Sequence, residues 1–173
     1  MIPAVALRKA QPEDAEALAG ISQRAFDSDV AVGAPGPGGP PGYSSPDWQA
    51  GAMEAGDYHA ILVDGHIAGG AIVFETGPGE YALGRIFLDP EWHDRGIGSR
   101  AVALLWEAYP QARRWTLDTP IWNRRTRHFY ESLGFVAIGE RTEPGGPDLV
   151  VFQRQAGPQH QTRRSVATVQ PPG

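Results

Sequence analysis

Apolar positions along this chain recur with two different periods, and the changes of period mark its elements. Val5 to Arg8 is a short apolar run that reads as a strand. Pro12, Glu13 and Asp14 then open a helix, because proline fits a first helical turn and acids there suit the helix dipole. Ala15, Leu18, Ala19, Ile21 and Phe26 continue it as an apolar stripe, with Ala25 beside it. Asp47 to Ala55 reads as a short helix. Tyr58 to Val63 and Ile67 to Phe74 read as strands joined at Asp64-Gly65, a strong hairpin signal. A third strand is expected from Tyr81 to Leu88, stopped by Asp89-Pro90. Gly96 to Tyr109 reads as a helix burying Ile97, Ala101, Leu104, Leu105 and Ala108. Arg114 to Asp118 reads as a strand, and Asn123 to Leu133 as a helix capped by Asn123 and stopped at Gly134. Phe135 to Gly139 and Leu149 to Arg154 read as strands around a Pro/Gly turn at residues 144–147. The order β-α-α-βββ-α-β-α-ββ predicts a mixed α/β fold, a sheet with helices on its faces.

Composition changes this picture in one respect. The chain has 173 residues, enough for one domain with a real core. It also has 22 glycines and 16 prolines, well above ordinary usage. Nine of the ten residues from Gly33 to Gly42 are one or the other, so a long loop is expected there. Residues 156–173 are polar and aperiodic, and a disordered tail is expected. The expected organisation is therefore a single domain over residues 1–155, with a Gly/Pro-rich loop at 33–45, followed by the tail.

Charge and cysteine usage exclude several chemistries. The chain lacks cysteine, which removes disulfides, thiolate zinc sites and a cysteine nucleophile. Its formal net charge of −5 argues against a nucleic-acid footprint. No run approaches the length of a membrane span, and the N-terminal residues lack the features of a secretory leader, so a cytoplasmic location is the expectation.

The segment most informative about chemistry follows Asp89-Pro90. A strand leads through Arg95-Gly96-Ile97-Gly98-Ser99 into an amphipathic helix. Amide groups of a first helical turn lack partners within the helix and carry partial positive charge, which suits a phosphate. Glycines at 96 and 98 would let phosphates come close to the backbone, and Arg95 and Arg100 could add charge-assisted contacts. Taken alone, the segment also reads as a tight turn. It is neither a Walker loop nor a dinucleotide fingerprint, since Gly-Lys-Ser/Thr and a third glycine are both missing.

Two segments together carry a resemblance. IFLDPEWHDRGIGSR (86–100) is similar to the Gln/Arg-x-x-Gly-x-Gly/Ala pyrophosphate motif of the GNAT superfamily of acetyl-CoA-dependent N-acetyltransferases. LDTPIWNRRTRHFYESLGF (117–135) is similar to that family's Asn…Phe-Tyr-Glu-x-Leu-Gly-Phe segment. One departure is visible, because His93 stands where the family has Gln or Arg. The resemblance implies a mixed, mostly antiparallel sheet of six to seven strands flanked by four helices. It also implies acetyl-CoA as acyl donor, a primary amine as acceptor, and no metal. Ile86, Phe87 and Leu88 would offer main-chain groups to the pantetheine arm, on a strand that splays from its neighbour. His93 and the main chain of Asp94, Arg95, Gly96, Ile97, Gly98 and Ser99 would meet the pyrophosphate.

Asn123 and Tyr130 lie seven residues apart, nearly two helical turns, so both project from one face. The resemblance gives Asn123 a contact with the cofactor arm and Tyr130 the role of general acid toward departing CoA. A phenol suits that exchange, its ordinary pKa of about 10 being close to that of an alkyl thiol. Capping and core packing are the competing readings of these two residues. An acceptor ammonium must also lose a proton, and Asp118, Glu80 and His93 are the candidate bases, Asp118 first. Phe26, Tyr43, Trp48 and Tyr58 fall where the family binds its acceptor, and could form an amine-binding wall or ordinary packing. The expected activity is direct acetyl transfer to a small-molecule amine. A non-catalytic acyl-CoA-binding module and transfer to a protein or aminoacyl-tRNA amine are the alternatives, and a homodimer is compatible with all three.

Overall fold

The computed structural model describes residues 2–155, so the tail expected at 156–173 lies outside the described residues. Eleven principal elements follow the expected order. They are β1 (Val5–Lys9), α1 (Ala15–Asp27), α2 (Pro46–Ala55), β2 (Asp57–Val63), β3 (His66–Gly77), β4 (Glu80–Leu88), α3 (Ile97–Ala108), β5 (Arg114–Pro120), α4 (Arg124–Ser132), β6 (Val136–Thr142) and β7 (Asp148–Gln155). Boundaries differ from the sequence reading by one to three residues, as fraying ends do. The helix opened by Pro12 starts instead as a 3-10 turn, Pro12–Asp14, before α1. A second such turn, Ser28–Val32, extends α1 toward the Gly/Pro loop.

The sheet has seven strands in the order β1-β2-β3-β4-β5-β7-β6. All pairings are antiparallel except β4 with β5, which is parallel. This is the expected mixed, mostly antiparallel sheet with four α-helices. Each face buries its own apolar layer. On one side, Leu18, Ile21 and Ala25 of α1 and Ala52 of α2 pack on Tyr58, Ile72 and Phe87. On the other, Ala101 and Leu105 of α3 and Tyr130 of α4 pack on Val73, Tyr81, Leu83, Trp115, Leu117 and Phe152.

Two irregularities in β4 prepare the site. Ile72 pairs with Arg85 but Val73 pairs with Leu83, so Gly84 is an extra residue. This β-bulge changes which face successive side chains take. Arg85 and Phe87 thereby face α1 and α2, while Leu83 and Ile86 face the α3 side. The second irregularity is at the β5 edge. The β4–β5 ladder contains only Glu80–Arg114, Tyr81–Trp115 and Ala82–Thr116, although β4 runs on to Leu88 and β5 to Pro120.

Candidate functional site

Beyond Ala82 and Thr116 the two central strands part, and a gap opens between them. The backbone amide of Asp89 donates to Ala68 O at 2.8 Å. Main-chain groups alternate sides along a strand, so Phe87 also pairs with β3, whereas Ile86 and Leu88 turn theirs into the gap. The expectation for Ile86, Phe87 and Leu88 is therefore corrected at Phe87. Its main chain is spent on β3, and its ring lies in the α1/α2 core at 5% exposure.

At the mouth of the gap stands the N-terminus of α3. Asp94 (φ 59°) and Gly96 (φ 76°) are both left-handed. Gly96 is the N-cap of α3, has no side-chain capping bond, and is followed by a first turn without acidic residues. The first α3 amides thus have no side chain competing for them. A Cβ placed on Gly96 would meet nothing within 4 Å, so the space before it is open. At Gly98 a Cβ would sit 3.2 Å from Phe129 Cζ, so this glycine also lets α4 pack closely on α3. Arg95 lies over Trp92, 5.1 Å from the ring centroid, and Arg100 donates to Pro3 O at 2.6 Å.

His93 bridges the gap. Its Nε2 lies 3.0 Å from Leu88 O, and its Nδ1 lies 3.0 Å from Arg125 Nη1. A carbonyl only accepts and a guanidinium only donates, so Nε2 carries the proton and Nδ1 accepts. Burial first, and the Arg125 charge further, hold this imidazole below its ordinary pKa, while the Leu88 bond and nearby Asp94 and Asp89 act the other way. A neutral ring with that tautomer results. It occupies Leu88 O, one of the main-chain groups facing the gap.

On the far wall, Asn123 is 2% exposed and caps α4 by accepting from Thr126 N at 3.1 Å. Tyr130 is 6% exposed among Phe129, Phe135 and Phe152. Burial, and the nearby Asp118 charge, push its phenol well above the ordinary range, so it stays protonated. Asp118 is an exposed residue of β5 whose Oδ2 accepts from Arg141 Nη2 at 2.7 Å and Nε at 3.1 Å. Glu80 is ion-paired with Arg114 at the closed end of the β4–β5 ladder, away from the gap. The basic residues of α4 are partly spoken for, since Arg127 donates to Ile121 O at 3.0 Å and Arg125 to His93.

Two charged residues that the sequence did not single out also face this region. Asp29, in the 3-10 turn after α1, lies near Asn123 and the Arg125 charge, both of which favour its ionised form. Burial outweighs both and pushes its carboxyl up to about 6. Arg85, at the bulge, stacks on Trp48 with Cζ 4.0 Å from the ring centroid, and its Nη2 donates to Pro41 O at 3.2 Å. Tyr58 donates to Gln49 Oε1, and Gln49 Nε2 reaches back to Tyr43 O at 3.4 Å. The expected aromatic group of Phe26, Tyr43, Trp48 and Tyr58 is thus present on the α1/α2 face, with Tyr43 edge-on to Phe26 at 6.1 Å. No pattern in the sequence joined Arg85 to it, because the bulge that reverses its direction is not written in hydropathy. Among the described residues, no three potential metal ligands cluster, and no helix is long and apolar enough to cross a membrane.

The site is thus a parallel strand pair that parts halfway, with an uncapped helix N-terminus at its mouth. The family model described as acetyltransferase (GNAT) family matches residues 28–135, and the chain belongs to that family. A protein of Bacillus subtilis (strain 168), YrkN, is 35% identical over 74 residues, which is 42% of this chain. The match spans only 40% of that relative's length. Among solved structures, the PaiA N-acetyltransferase of Thermoplasma acidophilum, in complex with coenzyme A, is 16% identical. It superposes with a TM-score of 0.71 over 88% of this chain and 99% of its own. The ribosomal-protein-S18-alanine N-acetyltransferase of Escherichia coli is 21% identical with a TM-score of 0.68, covering 88% of this chain and 94% of its own. At these identities the likeness is one of fold.

Proposed function

We propose that residues 1–155 form a single N-acetyltransferase domain that moves an acetyl group from acetyl-CoA to a primary amine, of a small molecule in the first instance, by direct attack. The observation that carries this reading is the parting of β4 from β5 after three residue pairs. It leaves main-chain groups of Ile86 and Leu88 facing a gap that the open N-terminus of α3 overlooks. An extended pantetheine arm would pair there as an added strand, with its pyrophosphate on the amides from Asp94 to Ser99, in the loop before α3 and its first turn. His93 would give up or share Leu88 O as the arm enters, and Asn123 would contact the arm from the far wall.

In this reading the acceptor's lone pair attacks the thioester carbonyl, the C–N bond forms, and the C–S bond breaks. Tyr130 gives its phenolic proton to the leaving sulfur, and a proton lost from the acceptor nitrogen ultimately restores it. The upward shift of Tyr130 keeps its proton in place at all working pH values, and makes a lasting phenolate beside Asp118 costly. Asp118 then acts through its charge rather than as base, because Oδ2 is held by Arg141. Asp29, with a carboxyl pushed up to about 6, is the better-matched acceptor of the ammonium proton, directly or through water.

The test is a panel of primary amines assayed for thiol release from acetyl-CoA, run beside acetyl-CoA binding by calorimetry. Thiol release with some amines supports the reading. Binding without release for any small-molecule, peptide or aminoacyl amine would overturn it in favour of a regulatory acyl-CoA-binding module.

A further inference from the structure

Arg85 is a half-buried guanidinium with no carboxylate partner among the described residues. Its Nη1 is buried and has no hydrogen-bond partner among the described residues, the only charged group in that position. Nη2 has a single neutral acceptor, Pro41 O. The guanidinium face is used by Trp48, and stacking leaves the edge with its parallel N–H pair free to bond. Around that edge are neutral groups, the Tyr58–Gln49 pair and the main chain of the Gly/Pro loop. Burial without a carboxylate pulls the Arg85 pKa down to about 10, with Tyr58 as the one opposing influence. A buried charge of this kind is costly unless paired.

Its position gives the vacancy meaning. Arg85 immediately precedes Ile86, whose main chain faces the gap, and the bulge at Gly84 turns its side chain to the α1/α2 face. It therefore looks toward the acceptor side from the strand that borders the donor. The nearest cover is the Gly/Pro loop, whose Pro41 carbonyl a ligand oxygen can replace. Trp48 is held in its stacked pose by the same loop, since a Cβ on Gly42 (φ 77°) would come 2.0 Å from Trp48 Cγ.

Building on the transferase reading, we infer that Arg85 is an anion subsite for the acceptor: the amine acetylated here also carries a carboxylate or a phosphate-type group, bound edge-on by Nη1 and Nη2. The loop at 33–42 is then the removable cover of that subsite. An alternative role for Arg85, pinning the loop through Pro41 O, would affect stability but not choice of amine.

The experiment compares matched acceptors on the full chain. α-, β- and γ-amino acids and aminoalkylphosphonates are set against alkylamines of the same length, in wild type, Arg85→Gln and Arg85→Lys. Anion-bearing amines should exceed their neutral counterparts in kcat/KM by about 100-fold in wild type, as expected for a buried charge pair. Arg85→Gln should abolish that ratio, and Arg85→Lys, which keeps charge but loses the fork, should retain part of it. Acetyl-CoA affinity should be the same in all three. The carboxylate and phosphonate series identify which anion fits. Equal turnover of neutral amines by wild type, or an unchanged ratio in Arg85→Gln, overturns the inference while leaving the transferase reading intact. If Arg85→Gln does not fold, the wild-type ratio and Arg85→Lys decide. If none of these amines is acetylated, thermal shifts decide the subsite, and the transferase reading is judged by peptide and aminoacyl amines. Stabilisation of wild type by the anionic amines, weaker in Arg85→Lys and absent in Arg85→Gln, would support the subsite, and no stabilisation of wild type would overturn it.

Discussion

The two sides of the parted sheet receive charge by opposite means. On the α3 side the positive potential is main-chain: open amides at an uncapped helix start, with Gly96 in a left-handed pose and no acid in the first turn. On the α1/α2 side it is a single side chain, Arg85, buried against Trp48 and Pro41. On the proposed reading, a main-chain cradle would grip a shape shared by every CoA thioester at no cost in buried charge. A buried guanidinium is expensive to hold without a partner, and it would discriminate between ligands. The proposed donor side would then serve a constant ligand, and the proposed acceptor side a particular one.

Tyr130, buried in the core layer on the α3/α4 side, gives the sharpest way to break this division. Tyr130→Phe removes a hydroxyl and keeps the ring among Phe129, Phe135 and Phe152. Turnover should fall by about 100-fold or more, the usual worth of a placed general acid. Acetyl-CoA affinity should not change, because the proposed phosphate contacts are at the start of α3, not at the phenol. Steady-state rates with calorimetry read both, and retained turnover would remove Tyr130 from the chemistry.

The glycines of the phosphate loop sharpen the main-chain half. Gly96→Val places a β-branched residue at φ 76°, which should cost about 1–2 kcal/mol and about 2–8 °C in Tm, and should weaken acetyl-CoA binding. Gly98→Ala puts a Cβ against Phe129, so it should alter stability slightly and binding not at all. Equal loss of acetyl-CoA affinity in both variants would show that the loop binds through both glycines, contrary to the packing role of Gly98.

The same contrast explains what could be read from the sequence. The element order and the uncapped glycine start of α3 were legible because each is local: a period, or a glycine at a helix start. The roles of Phe87, Gly98, Arg85 and Asp29 were not. Phe87 depends on which side of β4 the ladder uses, and Gly98 on a ring 31 positions away. Arg85 meets Trp48 and Pro41 only because a bulge turns it over, and Asp29 meets Asn123 across 94 positions. Contacts of that range are fixed by topology, which hydropathy does not encode.

Asp29 yields the smallest effect, and one whose sign separates function from packing. Its carboxyl rises to about 6 in the folded chain, above its ordinary value, because burial outweighs Arg125 and Asn123. A group shifted upward favours folding in its protonated form. That contribution is full below about pH 4 and is lost as pH rises through about 6. Near pH 7.5 the ionised group is therefore a net burden, about 1 kcal/mol after allowance for its partial exposure. Asp29→Asn keeps a hydrogen-bonding side chain beside Asn123 and does not ionise. Its Tm should match wild type near pH 4 and exceed it by about 2–4 °C near pH 7.5. Thermal unfolding across that range checks this, and parallel curves would refute the burden. If Asp29 also takes the acceptor's proton, the same variant should lose about 10-fold or more in kcat/KM, together with the rise of that rate through pH 6. A chain made more stable and slower by one amide would mark Asp29 as a group kept for chemistry at the expense of stability.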